Sequence, residues 1–216
     1  MTTYTGYPDA DPETATTDGG ARRHGVNQTF ADIRAGAGTA GNAVDASATL
    51  AILVATTTSN QYSQLKRTIF LFDTTAIPAD ATLNSATFSI YGTAKASGLG
   101  TLAIAVVSSN PASDTDVASG DYGSLGTTSY GSIAHASWST TGYNDIALST
   151  AAITAGGITK LGLRFEDDRT GTFTGTWASG ATTSVSGYFA DNGSNKPTLT
   201  VDYTPVGGRR RIVVIT

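Results

Sequence analysis

Hydrophobic and polar residues alternate with a period of two along short runs of the chain from Thr68 onward, and clusters of Gly, Pro, Asn, Asp and Ser separate the runs. Successive side chains of a strand point to opposite faces. Lys160-Leu161-Gly162-Leu163-Arg164-Phe165 therefore places Leu161, Leu163 and Phe165 on a buried face and Lys160, Gly162 and Arg164 on a wet one. Thr198 to Tyr203 repeats the arrangement with Leu199, Val201 and Tyr203 inward, and Ala86, Phe88 and Ile90 follow the same rule. Two runs, Leu50 to Ala55 and Leu102 to Val107, are apolar on both faces, as in central strands covered from both sides. Further strands are predicted at Thr68 to Asp73, Tyr143 to Leu148 and Val185 to Ala190, with a shorter one near Ser132 to Ala136. So many short strands predict an all-β fold: a two-sheet antiparallel β-sandwich of jelly-roll type.

Helical spacing is scarce. Thr29 to Arg34 predicts one short turn, with Thr29 as cap and Gly36 ending it, and Thr150 to Ala155 before Gly156-Gly157 predicts another. No internal repeat is visible. The pattern divides the chain into a sandwich domain, residues 1–205, and a C-terminal arm, residues 206–216; residues 1–45 read as an irregular strand-and-loop region within the domain. The arm has a flexible joint at Gly207-Gly208, then Arg209-Arg210-Arg211, then Ile212-Val213-Val214-Ile215-Thr216. A β-branched run of this kind pairs readily with the strand edge of another chain. Arg209, Arg210, Arg211, Ile212, Val213, Val214 and Ile215 are accordingly the predicted partner-binding residues.

Composition supports the β assignment and narrows the function. Only 14% of the 216 residues are charged, and Gly, Ala, Ser and Thr fill much of the chain. A net charge of −4 supplies no positive field for nucleic acid or an anionic membrane. The absence of cysteine removes disulfides, thiolate metal sites and a Cys nucleophile. The first residues lack the basic start and apolar run of a secretory signal, and no apolar stretch approaches the roughly 20 residues of a membrane span. The expected protein therefore binds neither nucleic acid nor membrane.

No catalytic constellation is expected. His24 and His135 are far apart, without metal-ligand spacing, and read as surface or loop residues; no Gly-x-Ser-x-Gly elbow precedes a helix. Asp167, Asp168 and Asp191 follow predicted strands and are candidate Ca²⁺ ligands, but the same residue types serve tight turns, which is the favoured reading. No cofactor is expected. Among the aromatics of the loop regions, Tyr122, Tyr130, Trp138, Tyr143 and Trp177, the two tryptophans Trp138 and Trp177 are the candidates for stacking on sugar rings, weighed against packing at the ends of the core.

The run Arg67-Thr68-Ile69-Phe70-Leu71-Phe72-Asp73, then Ile77-Pro78, then Leu83-Asn84-Ser85-Ala86-Thr87-Phe88-Ser89-Ile90-Tyr91 resembles the DNRLRE-type β-sandwich modules, and Lys196 to Tyr203 is similar to their final strand. The resemblance spans Arg67 to Tyr203. It implies a jelly-roll sandwich like those of carbohydrate-binding modules, with a role in adhesion or assembly and no catalytic residues. Segments such as Ser108 to Ser113, Gly142 to Asp145 and Gly187 to Asp191 are similar to uncharacterised proteins of tailed bacteriophages. The expectation is a non-enzymatic virion structural protein, a head-decoration, fibre or tail-associated component whose partners are other virion proteins or copies of itself. The alternative is a carbohydrate-binding or adhesive module on a bacterial surface or extracellular filament, with surface glycans as partners.

Overall fold

A computed structural model describes residues 1–206, and the predicted arm from Gly207 onward lies outside the described residues. Within them the chain folds as β1 (Thr2–Gly6), β2 (Asp18–Gln28), α1 (Phe30–Ala35), β3 (Ala40–Asn42), β4 (Ser47–Ala55), β5 (Tyr62–Asp73), β6 (Thr82–Ser97), β7 (Ile104–Ser109), β8 (Leu125–Ile133), β9 (Tyr143–Leu148), β10 (Ile158–Phe165), α2 (Glu166–Thr170), β11 (Thr182–Tyr188) and β12 (Thr198–Thr204). All pairings are antiparallel, and the result is a sandwich-like all-β fold as the alternation predicts.

Two long strands join the layers. The first half of β6 lies between β12 and β9, with Phe88 opposite both Leu199 and Ile146; its second half pairs with β11, Lys95 opposite Val185. The changeover falls at Gly92. A Cβ there would collide with the carbonyl oxygen of Ser139 and come within 2.7 Å of Trp138 Nε1, so only glycine lets the strand bend this close to the 138–139 backbone. β5 makes the corresponding handover: β2 holds one side of it, while the other side passes from β4 at Tyr62–Lys66 to β10 at Thr68–Asp73. The smaller sheet is β1-β12-β6-β9, and the larger runs β6-β11-β4-β5-β10-β7-β8, with β2 beside β5 and β3 beside β2.

The core forms where β5 faces β6. Phe70 and Phe72 meet Phe88 with ring centroids 5.0 and 6.0 Å apart, and Phe189 closes on Phe70 at 5.9 Å. Edge-to-face and tilted aromatic contacts of this kind add to the area they bury. One connected cluster of buried apolar side chains runs from Ala21 to Tyr203. β7 is covered on both faces as expected, Ile104 to Val107 being fully buried, whereas β4 is so only in part: Leu50, Ala51, Leu53 and Ala55 are buried but Ile52 and Val54 are half-buried.

Other expectations change. Residues 1–45 are more regular than their sequence suggests, since β2 is an eleven-residue strand paired along β5. Its Gly19-Gly20-Ala21-Arg22-Arg23 hides any alternation, and pairing with a strongly apolar partner makes it a strand. The strand sought near Ser132 to Ala136 is the end of β8; His135 begins a 3-10 turn. The 29–36 turn forms as predicted, Thr29 Oγ1 accepting from the Asp32 N–H and the Gly36 N–H closing on the Asp32 carbonyl. The 150–155 turn shortens to Thr150–Ala152. β10 is buried on both faces, because Leu125 covers Gly162 and Arg164, expected in water, is only 4% exposed. The acidic run Glu166-Asp167-Asp168 begins α2 rather than a loop, and Gly171, at φ 86°, ends it in the left-handed region.

Candidate functional site

The outer face of the smaller sheet is built from the positions left over when β6, β9 and β12 turn Phe88, Ile90, Ile146, Leu199 and Val201 inward. Register then sets Thr198, Ser89 and Asp145 side by side across β12, β6 and β9, and Tyr91 opposite Tyr143 one step along. Tyr91 packs edge-on against Tyr143 and, with its ring tilted, against Tyr188 of β11, each at 5.4 Å. Tyr143 is 44% exposed and Tyr7 50% exposed. Burial, with the phenols of Tyr7 and Tyr91 nearby, raises the Tyr143 pKa above that of a free tyrosine. Recesses of about 330 Å³ and 350 Å³ share Tyr143 and Thr198; the first also takes in Tyr7, Ser194 and Lys196, the second Ser89 and Asp145. The face thus combines exposed aromatic surface with hydroxyls, an ammonium and a carboxylate, the groups that read the apolar faces and the hydroxyls of a sugar.

This places the aromatic site away from the predicted tryptophans. Trp138 is 2% exposed beneath the Gly92 bend, so it fills the fold instead of offering a stacking surface. Trp177 packs against the core with its Nε1 donating to the Gln61 carbonyl at 3.2 Å. Tyr122 is fully buried and Tyr130 half-buried, which leaves Tyr143 as the exposed member of the five. A preference for large loop aromatics missed Tyr7, Tyr91 and Tyr188; the signal available was that Tyr91 and Tyr143 fall on the polar side of strands with clear alternation.

The remaining candidates sit in structural roles. His135 is buried, its Nε2 within 3.0 Å of the Ala96 carbonyl and 3.2 Å of the Ser184 carbonyl, which corrects its reading as a surface residue; His24 lies exposed on β2. Asp191 accepts from the Asp11 N–H at 2.5 Å, and Asp167 accepts from the N–H and hydroxyl of Thr174. Among the described residues no group of three or more His, Asp or Glu could hold a metal ion. Asp167 and Asp191 thus spend their carboxylates on backbone and side-chain hydrogen bonds.

Asp168 has the most demanding role. It is fully buried, and two guanidinium forks close on it: Arg67 through Nε at 2.8 Å and Nη2 at 2.7 Å, and Arg164 through Nε at 2.7 Å and Nη2 at 2.6 Å. Arg34 stands 3.4 Å away and donates its Nε to the Asp168 carbonyl at 2.7 Å. Arg67 also donates to the carbonyls of Tyr122 and Arg34 and lies over the Tyr122 ring at 4.0 Å, while the Tyr122 hydroxyl donates to the Ile33 carbonyl. Burial alone would raise the Asp168 pKa, but the hydrogen bonds and charges of Arg67 and Arg164 outweigh it and hold the carboxyl below its ordinary value. The cluster ties α1, β5, β10, α2 and the 119–123 turn to one point. No known protein-family model matches the chain, and no curated protein matches it either.

Proposed function

We propose that this chain is a non-enzymatic structural protein of a tailed-phage particle, a head-decoration, fibre or tail-associated component that joins its neighbours by strand addition. The observation that supports it most is the edge strand β1. Among the described residues it pairs with β12 alone, and its sequence Thr-Thr-Tyr-Thr-Gly has neither the charge nor the proline that usually protects a sheet edge. β12, the partner of β1, ends at Thr204, and Val206 after it is exposed. Ile212 to Ile215 has the composition to add to such an edge through backbone hydrogen bonds. The resemblance to sandwich modules of adhesion and assembly points the same way. Removing residues 207–216 is expected to leave the sandwich folded and to abolish oligomerisation or incorporation; an unchanged mass in light scattering and unchanged incorporation overturn the proposal.

One observation favours a second reading, a carbohydrate-binding or adhesive module: the Tyr7–Tyr143 face with its two recesses. On that reading Tyr143→Ala abolishes retention on a glycan array while costing little stability, since the side chain is 44% exposed. Absence of any glycan bound by the unaltered protein leaves assembly as the sole role.

A further inference from the structure

Three guanidinium ions gather on one carboxylate beside a recess of about 280 Å³ lined by Arg34, Ala35, Arg67, Gly123 and Arg164. That volume would hold on the order of nine waters. Arg67 and Arg164 are 5% and 4% exposed at their side chains, so most of this charge is withdrawn from water. Buried charges are ordinarily balanced, yet among the described residues Asp168 is the one carboxylate paired with these arginines, and two positive charges are left over. The donors are unevenly used as well. Arg67 is occupied on all three nitrogens. Arg164 offers Nη1 with a single long contact of 3.4 Å to the Gly126 carbonyl. Arg34 uses only Nε, so among the described residues both of its Nη groups are without a hydrogen-bond partner.

We propose that this recess binds a tetrahedral oxyanion, phosphate or sulfate, with Arg34 as the principal contact and Arg164 as the second. A guanidinium fork matches two oxygens of such an ion at once through charge-assisted hydrogen bonds. Asp168 is the positioning residue: its carboxylate and carbonyl oxygens fix the guanidiniums of Arg34 and Arg164, both of which line the recess. The site lies on the β5–β10 side of the fold, apart from the tyrosine face and from β1, and does not depend on the assembly reading.

Gly123 supplies a test that keeps the arginines intact. It lines the recess, it is exposed, and a Cβ there would meet nothing within 4 Å. Gly123→Asp should place a carboxylate against the excess charge, raise Tm by a few degrees and abolish phosphate binding. The experiment is calorimetric titration of the whole chain with inorganic phosphate against chloride of matched ionic strength, repeated with glycerol phosphate. Saturable one-to-one binding is expected, weakened roughly tenfold or more in Arg34→Gln and absent in Gly123→Asp. Equal binding of the ester marks the recess as a reader of phosphate groups on larger molecules, and binding of the free ion alone marks an inorganic-ion site. No saturable binding at millimolar phosphate, or binding undiminished in Gly123→Asp, overturns the proposal. Should Arg34→Gln fail to fold, Gly123→Asp decides the matter by itself.

Discussion

Replacing Asp168 by asparagine keeps the shape of a fully buried side chain and removes its charge, while Arg67 and Arg164 stay locked around it at 2.6–2.8 Å. The amide can accept from one fork through Oδ1, but its NH₂ then faces the guanidinium nitrogens that the second oxygen now serves. Taking one partner from a buried ion pair costs about 3–5 kcal/mol, because the remaining charges lose their compensation without regaining water. For a domain of this size each kcal/mol moves Tm by about 2–4 °C, so Asp168→Asn is expected to lower Tm by roughly 6–20 °C at neutral pH. The pH dependence follows from the depressed carboxyl. Its stabilisation is fully present above the unfolded carboxylate pKa, about 3.9, and is lost as pH falls through the lower folded value. The gap in Tm between wild type and variant should therefore hold from neutral pH down to mild acid and close below about pH 4. Thermal unfolding followed by circular dichroism across that range is the assay. A loss of less than about 2 °C at neutral pH, or a gap that persists in strong acid, would refute the assignment of Asp168 as the charge that holds the cluster.

Gly92→Ala should cost about 1–3 kcal/mol, since its Cβ meets the Ser139 carbonyl at the bend of β6, whereas Gly120→Ala, with nothing within 4 Å, should stay within about 0.5 kcal/mol; parallel chemical denaturation separates the two. Asp18 is 1% exposed, and burial pushes its pKa well above the usual range; the Ala190 N–H opposes the shift, and nearby Asp191 and Glu13 add to it. The folded state then holds a proton that the unfolded state has lost, so this group lowers stability as pH rises from the unfolded value toward the folded one. Asp18→Asn is expected to raise Tm at neutral pH, with the gain shrinking toward pH 4 or below; no gain at neutral pH contradicts that sign.

Alternation alone located the strands whose one face is apolar, because Leu161, Leu163 and Phe165, or Leu199, Val201 and Tyr203, can be buried together only in an extended chain. It failed where burial comes from a partner rather than from the strand itself. β2 carries two arginines and two glycines in succession, and β8 reads Gly-Thr-Thr-Ser-Tyr-Gly-Ser; both are strands by virtue of β5 and β7. Arg164 shows the same limit for charge: an arginine on the polar side of a strand reads as wet unless the carboxylate four residues later, in α2, is known to turn back onto it. The Asp168 cluster was illegible for a further reason, since Arg34, Arg67 and Arg164 are distant in sequence and meet only after α1, β5 and β10 pack. The tyrosine face was half legible. Tyr143 stood among the aromatics singled out, but its pairing with Tyr91 and nearness to Tyr7 depend on register and on how the N-terminal segment crosses the sheet.

Copy number in purified particles tests the proposed role most directly. If the chain is a structural component, quantitative mass spectrometry finds it in a constant stoichiometric ratio to the major particle protein from one preparation to the next, and the ratio falls to background once residues 207–216 are removed. A chain absent from purified particles, or present at a ratio that varies between preparations and ignores the deletion, contradicts the account.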